Sequence, residues 1–281
     1  MSDVAYQPEE MMVVAASRLL APDDVVFIGI GLPSKAANLA RRTHAPDLAM
    51  IYESGTLDTT PSTLPLSIGD PELSRTARSV VSVPEMFGYW LQGGWITTGF
   101  LGAAQIDRFA NLNSTVIGDY RRPKVRLPGA GGAPEIAAFC GRTLVLLSQT
   151  RRTFVEVLDF VTTVGTRRGG RDRSELGLPG RGPQAVITDL GILEPDGATG
   201  ELVLTHLHPG VSADAVVEAT GWPLRVAAEL GRTEPPSVEE LEVLRSLVPS
   251  EASNVAELIE AAGQHPRGTS GPDPRLERDD A

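Results

Sequence analysis

The chain has 281 residues, and at 41% hydrophobic and 22% charged it has the make-up of a globular protein, which excludes a fibrous or wholly disordered one. Lys and Arg number 25 against 36 Asp and Glu, and the net charge of −11 argues against nucleic acid as a partner. The single cysteine, Cys140, excludes an internal disulfide, no apolar run approaches the roughly 18 residues a bilayer span needs, and no cationic-then-apolar opening resembles a signal peptide; no membrane is expected, and the cytoplasm is the expected location.

Residues 11–20 carry apolar side chains at helical spacing behind Pro8, Glu9 and Glu10, acidic groups that suit the positive end of a helix dipole. Residues 24–28 form a β-branched and aromatic run that ends in Gly29-Ile30-Gly31, and residues 33–40 then read as a helix with proline near its first turn. Residues 48–52 are a second continuous apolar strand, so the chain opens as a βαβ unit whose strands are buried on both faces. Further strands are predicted over 79–83, 95–101, 143–147 and 185–188, with helices over 85–91 and 134–139 between them.

Two apolar runs, 190–193 and 201–204, flank Pro195-Asp196-Gly197, a turn signature that predicts an antiparallel hairpin and therefore a mixed sheet. Helices are predicted over 211–220 and 237–248, the second opening with Ser237 and Glu240 at capping-box spacing, and one more over 251–262. From Gly263 the composition is too polar and proline-rich to offset the entropy of ordering, which predicts a disordered tail over 263–281. The expected division is an α/β domain over 1–230, a helical extension over 231–262 and that tail. The expected fold class is α/β, an open, mostly parallel but mixed sheet with helices on both faces, Rossmann-like in plan.

Three loops carry candidate chemistry. Gly29-Ile30-Gly31-Leu32-Pro33-Ser34 stands between strand and helix, where a dinucleotide fingerprint sits, but Ser34 replaces the third glycine. Glu53 follows Ser34 by 19 residues, the distance at which a nicotinamide-dependent enzyme places its ribose-binding carboxylate, so an oxidoreductase is one reading; a tight turn with no ligand is the other. Glu53-Ser54-Gly55 ends a buried strand, where open α/β sheets collect ligands, and fits either a nucleophile, a ribose ligand or a solvated strand end. Gly129-Ala130-Gly131-Gly132 leads into a helix and presents backbone N–H groups to an anion, or else serves close packing alone.

The stretch 102–114 is dense in amide and carboxylate side chains, more than one turn requires. His206 and His208 alternate on a strand without a third ligand nearby, so no metal site is expected. No Gly-x-Ser-x-Gly elbow is present and nothing local pairs Cys140 with a histidine. Residues 167–173 form a basic island, read as a solvated loop or as a contact for an acidic partner or phosphate.

Several blocks together carry a family resemblance: Ile51-Tyr52-Glu53-Ser54-Gly55, Pro65-Leu66-Ser67-Ile68-Gly69-Asp70, Gly102-Ala103-Ala104-Gln105-Ile106-Asp107 with Asn111-Leu112-Asn113-Ser114, Gly129-Ala130-Gly131-Gly132, Val186-Ile187-Thr188-Asp189-Leu190-Gly191 and His208-Pro209-Gly210-Val211. In this order the chain resembles the β subunits of family I coenzyme A transferases, of the glutaconate type. The resemblance implies that Glu53 attacks an acyl-CoA thioester and carries CoA as a glutamyl thioester, beside a separately encoded α subunit. It implies CoA and a carboxylic acid as substrates, with no bound cofactor.

Gly131, Gly132 and Asn113 are the candidate oxyanion donors; Gly29, Gly31, Ser54, Gly55, Gln105 and Gly129 are the candidate contacts to CoA. Ser54 stands where many 3-oxoacid transferases have Asn, which favours the glutaconate-like branch. A related branch, CoA-ester hydrolase subunits of the steroid ring-cleaving type, is the alternative of the same fold, and retention of Glu53 tilts the reading toward transfer.

Overall fold

The computed structural model describes residues 5–247. Eight strands build one sheet: β1 (Val25–Ile28), β2 (Ala49–Tyr52), β3 (Thr98–Leu101), β4 (Arg142–Leu146), β5 (Pro183–Ile187), β6 (Gly191–Pro195), β7 (Leu202–Leu207) and β8 (Arg225–Arg232). They lie side by side in the order β8-β7-β6-β5-β4-β3-β1-β2. All neighbours are parallel except that β6 runs against both β5 and β7, so the sheet is the mixed, mostly parallel one expected.

The continuous apolar strands split their side chains between two cores, as a period of two dictates. Val26, Ile28, Met50, Tyr52, Leu144, Leu146, Ala185 and Ile187 face one core with helices α1 (Pro8–Ser17) and α2 (Leu32–Arg42). Phe27, Ile51, Val145 and Val186 face the other, with helix α3 (Ala133–Phe139) and the π-helical turn Met86–Leu91. Helix α4 (Val238–Ser246) starts with the predicted capping box, Ser237 Oγ accepting from Glu240 N–H at 3.1 Å, and lays Leu244 into the first core. Arg18 clamps it there by donating to both oxygens of Glu240 at 2.7 and 2.8 Å.

Several expectations need correction. β8 runs through position 230, so the sheet continues past the expected domain boundary. Its pattern hid it: Arg225, Glu229 and Arg232 are exposed, the charged pattern with which an edge strand resists pairing. Residues 79–83 give only a two-residue strand, Ser79–Val80, which pairs with Thr56–Leu57 outside the main sheet. The basic island is not a solvated loop throughout. Arg167–Arg168 and Arg171–Asp172 form a small hairpin, and Arg173 is buried, its guanidinium donating to the carbonyls of Gly180, Val164, Gly165 and Ala137 at 2.7 to 3.1 Å. The helix expected over 251–262 and the tail over 263–281 lie outside the described residues. Among the described residues no helix is long and apolar enough to cross a membrane.

Candidate active site

The chain passes from β1 to β2 on one side of β1 and returns to β3 on its other side, so the loops at the carboxyl ends of β1 and β3 diverge and open a crevice. Glu53 is the first residue after β2, and the register Ile28↔Tyr52 sets the Gly29 loop one strand away from it.

Tyr52 points into the first core, where its hydroxyl lies 2.9 Å from Ser34 Oγ of α2, and burial pushes the phenol's pKa up to about 12 against that hydrogen bond. Strand alternation then turns Glu53 toward the other face, the side of α3 and the π-helical turn. The half-buried Glu53 and Ser54 occupy the middle of a tight turn closed by Gly55 N–H to Tyr52 O at 3.0 Å. Only glycine serves at position 55: φ is +94°, and a side-chain carbon there would fall 2.0 Å from Val81 O. Gly55 therefore admits the backbone of Val81 at close range.

Gly132 meets Glu53 across 79 residues of sequence. A side-chain carbon at Gly132 would lie 3.5 Å from Glu53 Oε1 and 2.7 Å from Cζ of Phe87, a ring no sequence signal singled out. Phe87 in turn packs on Phe27 of β1, ring centroids 5.9 Å apart. Helix α3 is held at this depth because it rests directly on Gly99 of β3, where an added carbon would meet Ile136 and Cys140. Cys140 is fully buried where α3 meets β3, and that burial pushes its thiol up to about 12. Among the described residues neither the Gly131 nor the Gly132 N–H is donated to a protein acceptor. The Gly129 N–H is already spent on Ser114 O at 2.9 Å.

Asn113 does not share this freedom. It is fully buried, and its two amide hydrogens go to Gln105 Oε1 and Val116 O, each at 2.7 Å, so it has none left for an oxyanion. Gln105 likewise turns inward, donating to Asp159 Oδ2 at 2.9 Å and accepting from Asp159 N–H at 3.2 Å. Asn111 bridges Asp107, Gly165 and Arg167, and burial raises the pKa of Asp107 against the hydrogen bonds that Asn111 and Phe109 give it. The amide-rich stretch is thus a scaffold that pins strand pairs Gln105–Ile106 and Leu112–Asn113 to the strap at 153–167.

In the segment that follows Glu53, Ser54 Oγ and Thr56 Oγ1 are buried without a protein partner. At the Gly29 loop, Gly31 takes φ +85° at the start of α2, while added carbons at Gly29 and Gly31 would meet nothing within 4 Å. Ser34, in place of the third glycine, bonds Tyr52 instead of letting helix and strand approach closely, which removes the physical basis of a dinucleotide fingerprint. His208 is buried, with Nε2 donating to Thr188 O at 2.9 Å and Nδ1 at 2.8 Å from Thr233 Oγ1; burial lowers its pKa. Among the described residues no three His, Cys, Asp or Glu gather as metal ligands.

The family profile described as coenzyme A transferase matches residues 9–219. The chain is 58% identical over 243 residues to the β subunit of the 3-oxoadipate CoA-transferase of Pseudomonas knackmussii, covering 86% of this chain and 94% of that one. It is 38% identical over 237 residues to the β subunit of the glutaconate CoA-transferase of Acidaminococcus fermentans, covering 82% and 89%. The crystal structure of glutaconate coenzyme A-transferase from that organism superposes with a TM-score of 0.80 at 35% identity, over 87% of this chain and 95% of that one. A more distant likeness, 24% identical over 85% of this chain and 93% of the other, is the cholesterol ring-cleaving hydrolase IpdB subunit of Mycobacterium tuberculosis.

Proposed function

The chain belongs to the coenzyme A transferase family, as a β subunit, and from that premise we propose that Glu53 is the nucleophile that carries CoA between an acyl-CoA and a carboxylic acid. The observation that carries this reading is the approach of Gly132 to Glu53 Oε1 at the carboxyl end of β2. Glu53 attacks the thioester carbonyl; the carbon–sulfur bond breaks and an acyl-glutamyl anhydride forms with release of the CoA thiolate. The thiolate attacks the glutamyl carbonyl, the first acid leaves, and CoA stays on Glu53 as a thioester. The acceptor carboxylate attacks that thioester to form a second anhydride, from which the thiolate takes the new acyl group and frees Glu53.

A carboxylate needs no base at neutral pH, since a glutamate ordinarily titrates at about 4.3. Its weakness as a nucleophile has to be offset by the binding energy of the remote CoA moiety and by donors aimed at the developing oxyanion. The Gly131 and Gly132 N–H groups fit that task because no protein acceptor among the described residues uses them. Ser54 Oγ, buried and unpartnered, fits a hydrogen bond to substrate, and Gly29 and Gly31 line the neighbouring loop. The relatives' names support a dicarboxylic acid of the 3-oxoadipate or glutaconate kind as acceptor, and a separate α subunit that closes over the half-buried Glu53.

The test is borohydride reduction of the αβ enzyme after incubation with acyl-CoA. The peptide containing Glu53 is expected to carry a primary alcohol there, and Glu53→Ala is expected to abolish transfer. Full activity in Glu53→Ala, or an unmodified Glu53 in an enzyme that turns over, refutes the assignment. The IpdB likeness supports a CoA-ester hydrolase as the second reading; it predicts product without any acceptor acid, and an obligatory acceptor excludes it.

A further inference from the structure

A basic hairpin projects from the segment that leads into the Gly131–Gly132 loop. Strands Val116–Gly118 and Pro123–Arg126 pair antiparallel, and the base is locked by Leu127 N–H to Thr115 O at 3.1 Å and by Ser114 Oγ to Gly129 O at 2.8 Å. Arg121, Arg122, Lys124 and Arg126 are all exposed, and among the described residues none of them is in an ion pair. The one acid of the hairpin, Asp119, is occupied in capping its turn, with Oδ1 accepting from the N–H groups of Arg121 and Arg122 at 2.9 Å.

Four free cations this close together are unusual for a chain of net charge −11. One of them is pre-positioned: the Arg126 guanidinium lies 5.0 Å over the Tyr120 ring and donates to Tyr120 O at 3.1 Å, and Tyr120 is braced by stacking on Phe160 at 5.4 Å. That arrangement leaves further N–H donors of Arg126 for an anion and lowers the entropy cost of using them.

We propose that this hairpin binds the phosphates of the CoA moiety while the thioester lies at Glu53. The inference rests on the transferase reading above. CoA bears about four negative charges at neutral pH, about two of them on its phosphomonoester. Thirteen bonds separate its sulfur from the nearer phosphorus, which at the reach of an extended chain is about 15 Å. The paired strands Val116–Gly118 and Pro123–Arg126 rise about 10 Å to the turn at Asp119–Arg122, and the long side chains of Arg121 and Arg122 at that turn extend the reach further. A loop that holds the reacting carbonyl at one end and phosphates at the other would supply the remote binding energy that anhydride formation needs.

The experiment compares acyl-CoA with the corresponding acyl-pantetheine, which lacks the phosphates, in the αβ enzyme carrying Arg121→Gln, Arg122→Gln and Lys124→Gln together. These side chains make no hydrogen bond or ion pair among the described residues, so the fold does not depend on them. The ratio of kcat/KM for acyl-CoA to that for acyl-pantetheine is expected to fall about 100-fold, at about fivefold per lost charged contact, and its dependence on salt to flatten. An unchanged ratio overturns the proposal while leaving the role of Glu53 intact. Loss of the α subunit on gel filtration with an unchanged ratio overturns it in favour of a protein contact. A wild-type enzyme that transfers no CoA overturns this inference together with the reading beneath it.

Discussion

Gly132→Ala isolates the contact on which the site depends. The backbone at position 132, φ −82° and ψ 0°, lies in the bridge region, which alanine can enter at negative φ without left-handed strain, so the main effect of the substitution is steric. Its effect comes from the added carbon, 2.7 Å from Phe87 Cζ and 2.8 Å from Cε1, where carbon atoms prefer about 3.5 to 4.0 Å. Either the ring or the loop must therefore move by about 1 Å. Over-packing of this kind costs about 1 to 3 kcal/mol of stability. The catalytic effect is larger than that figure suggests, because the same carbon stands 3.5 Å from Glu53 Oε1 and a misplacement of about 1 Å at the reacting atoms costs about 100-fold in rate.

The assay is steady-state CoA transfer by the αβ enzyme together with thermal unfolding. Gly132→Ala is expected to lower kcat about 100-fold with a smaller change in KM for CoA. Adding Phe87→Leu relieves the clash that displaces the loop, so the double variant is expected to regain stability and most of the lost activity, the methyl group then making only an ordinary 3.5 Å contact with Glu53 Oε1. Wild-type kcat and stability in Gly132→Ala would refute the placement of this loop against the carboxylate.

Arg173→Met removes the donors from four backbone carbonyls in a buried setting and is expected to cost about 3 kcal/mol in urea unfolding; a loss under about 1 kcal/mol would show that water replaces the guanidinium there. Arg173→Lys keeps the charge but not the planar fork, and is expected to recover only part of that loss. His208 adds a pH dependence. Burial lowers its folded pKa, so between that value and about 6.5 the unfolded chain binds more protons, and the stability present above about pH 6.5 is lost as pH falls. Urea unfolding at pH 7.5 and 5.5 is expected to show a smaller decline in His208→Asn than in the wild type, and equal declines would remove His208 as the cause.

The sequence exposed features that are set locally. Apolar runs at 24–28, 48–52, 143–147 and 185–188 have no polar face, and all four became strands shared between two cores. A turn signature at 195–197 foretold the antiparallel β6, and capping-box spacing foretold the start of α4. Where local chemistry and burial disagree, the sequence was silent or misleading. β8 lacks an apolar run because it is an exposed edge, and Arg173 looks like its solvated neighbours although the fold closes over it.

The same division runs through the site. From the chain alone, Glu53 stands at the end of a buried strand in company with motifs that resemble one enzyme family, and that was enough to single it out. Sequence could not say which partners reach it, because Gly31, Gly55, Gly129, Gly132, Gln105 and Asn113 all look suitable by residue type. The tertiary structure separated them. Gly55 is filled by Val81 O, Asn113 and Gln105 satisfy one another and the strap, and Gly132 arrives beside Glu53 with Phe87 behind it. The cause is the order of the sheet: β1 lies between β2 and β3, and α3 rests on Gly99 of β3, which brings residues 79 positions apart to one edge. Side-chain periodicity is local and survives in the sequence, whereas strand order and the spending of each N–H exist only once the chain has packed.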